Sequence, residues 1–179
     1  MKYFPDLIEI FEPETLQYLE GNCLGLFSFQ HNYNDIKLML HIVLLNPKLI
    51  EQLGDPKDKY ATPFFINLKS AKYKLLFPIS SIIKNPENDK YFERLKNEYE
   101  QVKRKFLNND SETKELLEAG FSKEIPFWVE DEVHLDYSGI KMEFMGQLSL
   151  GNFFQDLDSF IYVYFSKGTM MVKLDYVMS

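Results

Sequence analysis

Glu130, Asp131, Glu132, His134 and Asp136 form the best candidate constellation for acid/base or metal chemistry in this sequence, and they closely follow its only tryptophan, Trp128. In an extended chain Glu130, Glu132, His134 and Asp136 project to one face and Asp131, Val133 and Leu135 to the other, so one imidazole lies among three carboxylates. Repulsion between like charges raises a carboxyl pKa, and the same field favours protonated imidazole. His134 with Glu130 or Glu132, beside Trp128 and Gln147, is therefore a candidate acid/base pair of an enzyme or small-ligand site. Such a pair also requires a pocket and burial. Without them the cluster is a solvated acidic edge, which is the favoured reading. Trp128 is expected in the core, with partner recognition as the alternative. Gln147 is expected as a solvated side chain on a strand, with a ligand contact as its alternative.

The remaining motifs exclude more than they suggest. There is no Cys-x-x-Cys, His-Glu-x-x-His, Gly-x-Gly-x-x-Gly, Gly-x-Ser-x-Gly or phosphate-binding loop. A zinc site would draw on three histidines and one cysteine, whose spacing does not suggest one. Asp156-Leu157-Asp158 lacks the further oxygen ligands and glycine of a calcium loop. Cys23 sits in an apolar run and reads as a buried structural thiol. No catalytic residue, metal or cofactor is expected.

Residues 110–136 carry nine acidic and two basic groups, and acidic and basic groups balance over the rest of the chain. The whole net charge of −7 thus resides in one segment. Nucleic acid would require clustered Lys and Arg, and the triplet Lys103-Arg104-Lys105 fits the end of a helix dipole instead. An anionic membrane surface is disfavoured on the same ground. The chain begins without a basic segment leading into an apolar stretch, and no apolar run approaches the roughly 20 residues that span a bilayer. A cytosolic location is expected.

These residues must be positioned by a sheet-rich core, given that 16% of the residues are aromatic. A helix is expected over Pro13–Glu20, a hairpin from Cys23–Phe29 and Ile36–Leu45, and a short helix over Pro47–Leu53. Strands are expected next at Phe64–Lys69 and Lys72–Phe77. The clearest helix spans Pro86–Leu107, capped by Asn85, with Phe92, Leu95, Tyr99, Val102 and Phe106 as its apolar stripe. A shorter one spans Ser111–Ala119, with Ser111 as cap and Leu116 and Leu117 buried. Ser138-Gly139 turns the chain into a strand whose one face carries Met142, Phe144, Gly146, Leu148 and Leu150. A last hairpin pairs Phe160–Phe165 with Thr169–Val177, burying Met170, Val172, Leu174 and Tyr176 and showing Lys173 and Asp175 to water. His41 is expected to be structural. The fold class is α+β: mostly antiparallel aromatic-rich sheets with one long surface helix at about 86–107 and several short helices, in a single domain over 1–179.

Pro126-Phe127-Trp128-Val129-Glu130, then Lys141 to Leu148 (KMEFMGQL) and Ile161 to Phe165 (IYVYF), resemble in order and spacing the YwqG-like family of uncharacterised bacterial proteins. The resemblance covers residues 121–177, about a third of the chain. It implies a mixed α+β fold with aromatic-rich strands, and no reaction. Lys123 and Glu124 stand where the family tends to have glycines, and Glu130 replaces a glutamine. Tyr137-Ser138-Gly139-Ile140 stands where some relatives carry paired cysteines, so the metal site of that branch is not carried over.

Taken together, the expectation is a cytosolic bacterial binding protein, leaning away from enzyme. Its acidic segment would face a basic protein partner, as immunity proteins do. The residues expected to meet that partner are Trp128, Glu130, Asp131, Glu132, His134, Asp136 and Gln147.

Overall fold

Period-two alternation over Ile36–Leu45 demands a half-buried strand. The computed structural model forms it as β3 (Ile36–Leu45), antiparallel to β2 (Cys23–Tyr33). The structure describes residues 1–33, 35–53, 61–75, 89–125, 135–137, 139–155 and 157–178, and of 135–137 and 178 the backbone alone. β2 continues past Phe29 to Tyr33, which shortens the loop expected at 30–35. β1 (Lys2–Tyr3) adds to the free edge of β2 and completes a three-stranded antiparallel sheet. Gly25 pairs with Val43 but Phe27 with Ile42, so Leu26 is an extra residue in β2. That bulge puts Phe27, Phe29 and His31 on the face of Leu38, Leu40 and Ile42.

The larger sheet runs β5 (Lys72–Leu75), β4 (Ala61–Asn67), β10 (Met171–Met178), β9 (Ser159–Ser166), β8 (Ile140–Ser149), β6 (Phe121–Ser122), with β7 (Leu135–Tyr137) also paired to β8. All its pairings are antiparallel. The helices are α1 (Leu7–Ile10), α2 (Pro13–Leu19), α3 (Pro47–Leu53), α4 (Lys90–Leu107) and α5 (Ser111–Ala119). The class is thus α+β with antiparallel sheets and one long helix of 18 residues. Among the described residues no helix is long and apolar enough to cross a membrane.

Two helices are capped by residues other than those expected, and α5 keeps its expected range. α4 begins at Lys90 because the Asp89 carboxylate accepts the Tyr91 and Phe92 N–H groups at 3.0 and 3.3 Å. Asn85 and Pro86, expected to open it, lie outside the described residues. Asp110, not Ser111, caps α5 by accepting the Thr113 N–H at 2.8 Å. Leu117 is buried as expected, but Leu116 is 50% exposed. α5 packs through the side that carries Thr113 and Leu117, and a turn of about 100° per residue carries Leu116 off that side.

Inner faces of the two sheets meet through aromatic rings. Phe27 and Phe29 lie 4.6 and 4.7 Å from Phe121, and His31 and Tyr33 lie 5.6 and 6.0 Å from Phe165, centroid to centroid. α4 buries Phe92, Leu95 and Tyr99 from its expected stripe, with Val102 and Phe106 packed at the margin. Cys23 is 4% exposed, a buried thiol that burial pushes up in pKa.

Three buried tyrosines finish the edges of the smaller sheet, where backbone groups would otherwise be orphaned. The Tyr73 hydroxyl accepts the His41 N–H at 2.7 Å and donates to the His41 carbonyl at 3.1 Å. Tyr99 donates to the Gly25 carbonyl at 2.9 Å, and Tyr176 to the Val43 carbonyl at 3.1 Å. Burial raises the pKa of all three hydroxyls. Tyr73→Phe strips one donor and one acceptor of their partner and is expected to lower unfolding free energy by about 1–2 kcal/mol in urea denaturation, with the slope m unchanged. An unchanged midpoint would show that the hydroxyl is dispensable.

Two strand faces differ from simple alternation. In β8, Phe144 pairs with Tyr164 but Gly146 with Val163, so Met145 is an extra residue. The face expected to run unbroken from Met142 to Leu148 therefore changes sides: Met142 and Phe144 lie on the outer face, Gly146 and Leu148 on the inner. In β10, Val172, Leu174 and Tyr176 are buried as expected, but Lys173 is only 6% exposed and Asp175 is half-buried. Lys173 Nζ lies 5.6 Å from the Tyr164 ring centroid, in a layer with Met142, Tyr162 and Met171. The outer face of the larger sheet is a second apolar layer, and Lys173 threads its stem through it.

Candidate functional site

Trp128, Glu130, Asp131, Glu132 and His134 lie outside the described residues. Asp136 is in β7 opposite Lys141, and Gln147 is in β8 opposite Tyr162. From Lys141 to Gln147 is six residues of strand, about 20 Å, so Asp136 and Gln147 are not brought together. Gln147 is half-buried rather than solvated, and its Oε1 is a buried acceptor without a hydrogen-bond partner among the described residues.

Upstream, the acidic segment is described over α5. Glu112, Glu115 and Glu118 are exposed, and half-exposed Leu116 sits beside them. The one lysine of the helix is turned away: Lys114 Nζ donates to Asn109 Oδ1 at 2.7 Å and lies 5.9 Å from the Phe106 ring centroid. Among the described residues no ion pair involves Glu112, Glu115 or Glu118. Their charge is felt inward, since burial and then the Glu118 carboxylate push the Tyr3 hydroxyl up to about 12.

A different cluster lies at the outer face of the smaller sheet, where the His41 ring is 5.2 Å from that of the core residue Tyr73, centroid to centroid. Strand register aligns Lys2 with Ser28 and Ser28 with His41, so one cross-strand row carries an ammonium, a hydroxyl and an imidazole. Ser28 Oγ and His41 Nδ1 are 2.7 Å apart, and both residues are buried, at 1% and 5% exposure. Glu9, from α1, reaches back to ion-pair with Lys2. With Pro5, Met39 and the β4–β5 turn at Ser70 and Ala71, these residues enclose an open cleft of about 240 Å³. Glu12 holds that turn through Asn67 Nδ2, at 2.8 Å, and the Ser70 hydroxyl.

Burial drives the His41 imidazole down to about 4, Glu9 opposing and Lys2 adding to the shift. At neutral pH the ring is uncharged and a weak base, poorly matched to removing a proton from Ser28. A serine at 1% exposure is also nearly closed to an electrophile. The pair thus offers a fixed polar floor, not an activated nucleophile. A second, apolar cavity of about 30 Å³ beneath Leu44, Ile50, Leu95 and Tyr176 has room for little more than one water. Among the described residues no three His, Cys, Asp or Glu side chains converge as metal ligands.

Sequence reasoning identified His41 as structural and missed the cleft around it. The hairpin pattern contains the Ser28–His41 pairing once the bulge at Leu26 is known. Lys2 and Glu9 carry no local signal, because β1 is two residues long.

Fold and site define an α+β protein of two antiparallel sheets with an acidic helix on one surface and a small polar cleft on another. The chain matches no family model, no curated protein and no solved structure.

Proposed function

We propose that this chain is a cytosolic bacterial, non-catalytic binding protein that presents its acidic segment, residues 110–136, to a basic protein partner, in the manner of an immunity protein. The observation that supports this reading is the surface of α5. Three exposed carboxylates without an ion pair among the described residues stand beside half-exposed Leu116, while Lys114 is diverted to Asn109 and Phe106. Unneutralised charge of one sign steers association, and an apolar side chain within it supplies contact area. Glu130, Asp131, Glu132 and Asp136 extend the same charge along the sequence, and a YwqG-like kinship adds no reaction to this reading.

Two variants test it in affinity capture from the native lysate at low and raised salt. One neutralises Glu112, Glu115 and Glu118 to Gln; the other neutralises Glu130, Asp131, Glu132 and Asp136. Each is expected to lose a basic protein that the parent retains at low salt and releases at raised salt. An unchanged captured set overturns the proposal.

A second reading, a small-ligand or acid/base site at His134 beside Trp128 and Gln147, is favoured by one observation. The buried Gln147 Oε1 has no partner among the described residues, and a ligand donor would satisfy it. His134→Gln should then abolish binding or turnover without affecting capture of a basic partner.

A further inference from the structure

We propose that the cleft over the Lys2–Ser28–His41 row binds a small zwitterion of the free α-amino-acid class. This site is separate from the acidic segment, and the inference does not rest on the reading above. At about 240 Å³ the cleft falls below the roughly 300–1,000 Å³ of pockets for drug-sized ligands. A molecule of amino-acid size suits it, and a nucleotide does not.

Charge selects the class. Among the described residues the lining holds one cation, Lys2, and one anion, Glu9, which pair with each other. A simple anion drawn to Lys2 meets the Glu9 carboxylate, and a simple cation drawn to Glu9 meets the Lys2 ammonium. A ligand with both signs satisfies both, its carboxylate on Lys2 and its ammonium on Glu9. Their side chains are 48% and 47% exposed, so the pair is screened by water and contributes little to folding. Exchanging it for two ligand contacts therefore sacrifices little.

The floor is built for binding. Ser28 and His41 are buried and locked to each other at 2.7 Å, and the neutral ring adds no third charge that would bias the cleft toward one sign. Tyr73 fixes the His41 backbone from beneath, and Glu12 ties down the turn that carries Ser70 and Ala71. The Ser70 hydroxyl is committed to Glu12 and adds no donor. Pro5, Met39 and Ala71 provide apolar surface for a short side chain. Such pre-positioned polar groups reduce the ordering cost of binding.

Titration of the amide spectrum with glycine, L-alanine and L-leucine is expected to show saturable shifts centred on Ser28 and His41, with half-saturation below about 10 mM. Acetate and methylamine, each carrying one of the two charges, should bind at least about tenfold more weakly. Lys2→Gln and Glu9→Gln, both at exposed side chains, should each weaken glycine binding at least about tenfold with the amide dispersion retained, while Lys2→Arg keeps it. Acetate binding as tightly as glycine would make this an anion site and overturn the proposal, and methylamine doing so would make it a cation site with the same result. Absence of saturation, shifts elsewhere, or unaffected variants would overturn it as well.

Discussion

Between about pH 7 and about pH 4.5 the folded chain is expected to lose roughly 2–3 kcal/mol of stability through His41 alone. The unfolded imidazole titrates near 6.5 and the folded one near about 4, with burial as the main cause. The unfolded chain therefore binds more protons throughout that window, so stability falls as pH falls through it. Well above 6.5 the ring is neutral in both states and contributes no slope; well below 4 it is protonated in both and the loss is complete. Glu9 faces the ring and opposes the shift, Lys2 faces it and adds to it, and Ser28 bonds Nδ1. Depressed carboxylates, Glu9 and Asp110, lose their contribution only at lower pH. His31 is lowered by its own burial and by Lys167 and Lys123, and adds a slope of the same sign.

Urea denaturation across the pH series, for the parent and for His41→Asn, measures the effect. Asn retains an oxygen to accept from Ser28 and cannot titrate. The variant is expected to be less stable at neutral pH and to show a flatter profile, the two curves converging toward acid. Parallel profiles would mean that His41 is not held neutral by the fold.

Gly25→Ala is expected to cost about 3 kcal/mol, or roughly 10 °C in Tm for a chain of this size. A Cβ at Gly25 would stand 2.3 Å from the Pro5 carbonyl oxygen and 3.0 Å from Ile10 Cδ1. Ile10 can adjust its rotamer, but the Pro5 oxygen belongs to the backbone and moves only with its chain. That chain joins β1 to α1 and walls the cleft, so the alanine should also disturb the Ser28 and His41 amides. Gly21→Ala is the internal comparison. Its Cβ meets nothing within 4 Å, and the cost there is the φ of +79° alone, about 1 kcal/mol. Equal effects at the two positions, by thermal or urea denaturation, would show that the approach of Pro5 to β2 is not tight.

Local pattern was enough for several elements. The β2–β3 hairpin arises from alternation, α2 and α3 from a proline at the first position, and the β9–β10 hairpin from two aromatic-rich runs around a polar turn. The departures from expectation have a common cause in packing. Leu26 and Met145 are single extra residues that pairing with a neighbour strand creates, and each exchanges the faces of the residues after it. Lys173 alternates as a solvent-facing residue should, yet is 6% exposed, with its ammonium 5.6 Å from the Tyr164 ring among the apolar side chains on the outer face of its own sheet. Leu116 is half-exposed because α5 turns Thr113 and Leu117, and not Leu116, into the core.

By itself the sequence determined the α+β class, the type of most elements and the concentration of negative charge in residues 110–136, because these rest on local periodicity, capping chemistry and composition. The tertiary structure alone decided that Lys2, Glu9, Ser28 and His41 share one cleft, and that Tyr73, Tyr99 and Tyr176 finish the edges of the smaller sheet. These contacts join residues 13 to 133 positions apart or hang on a two-residue strand. Distance in sequence erases the local pattern, and only chain packing restores the neighbours.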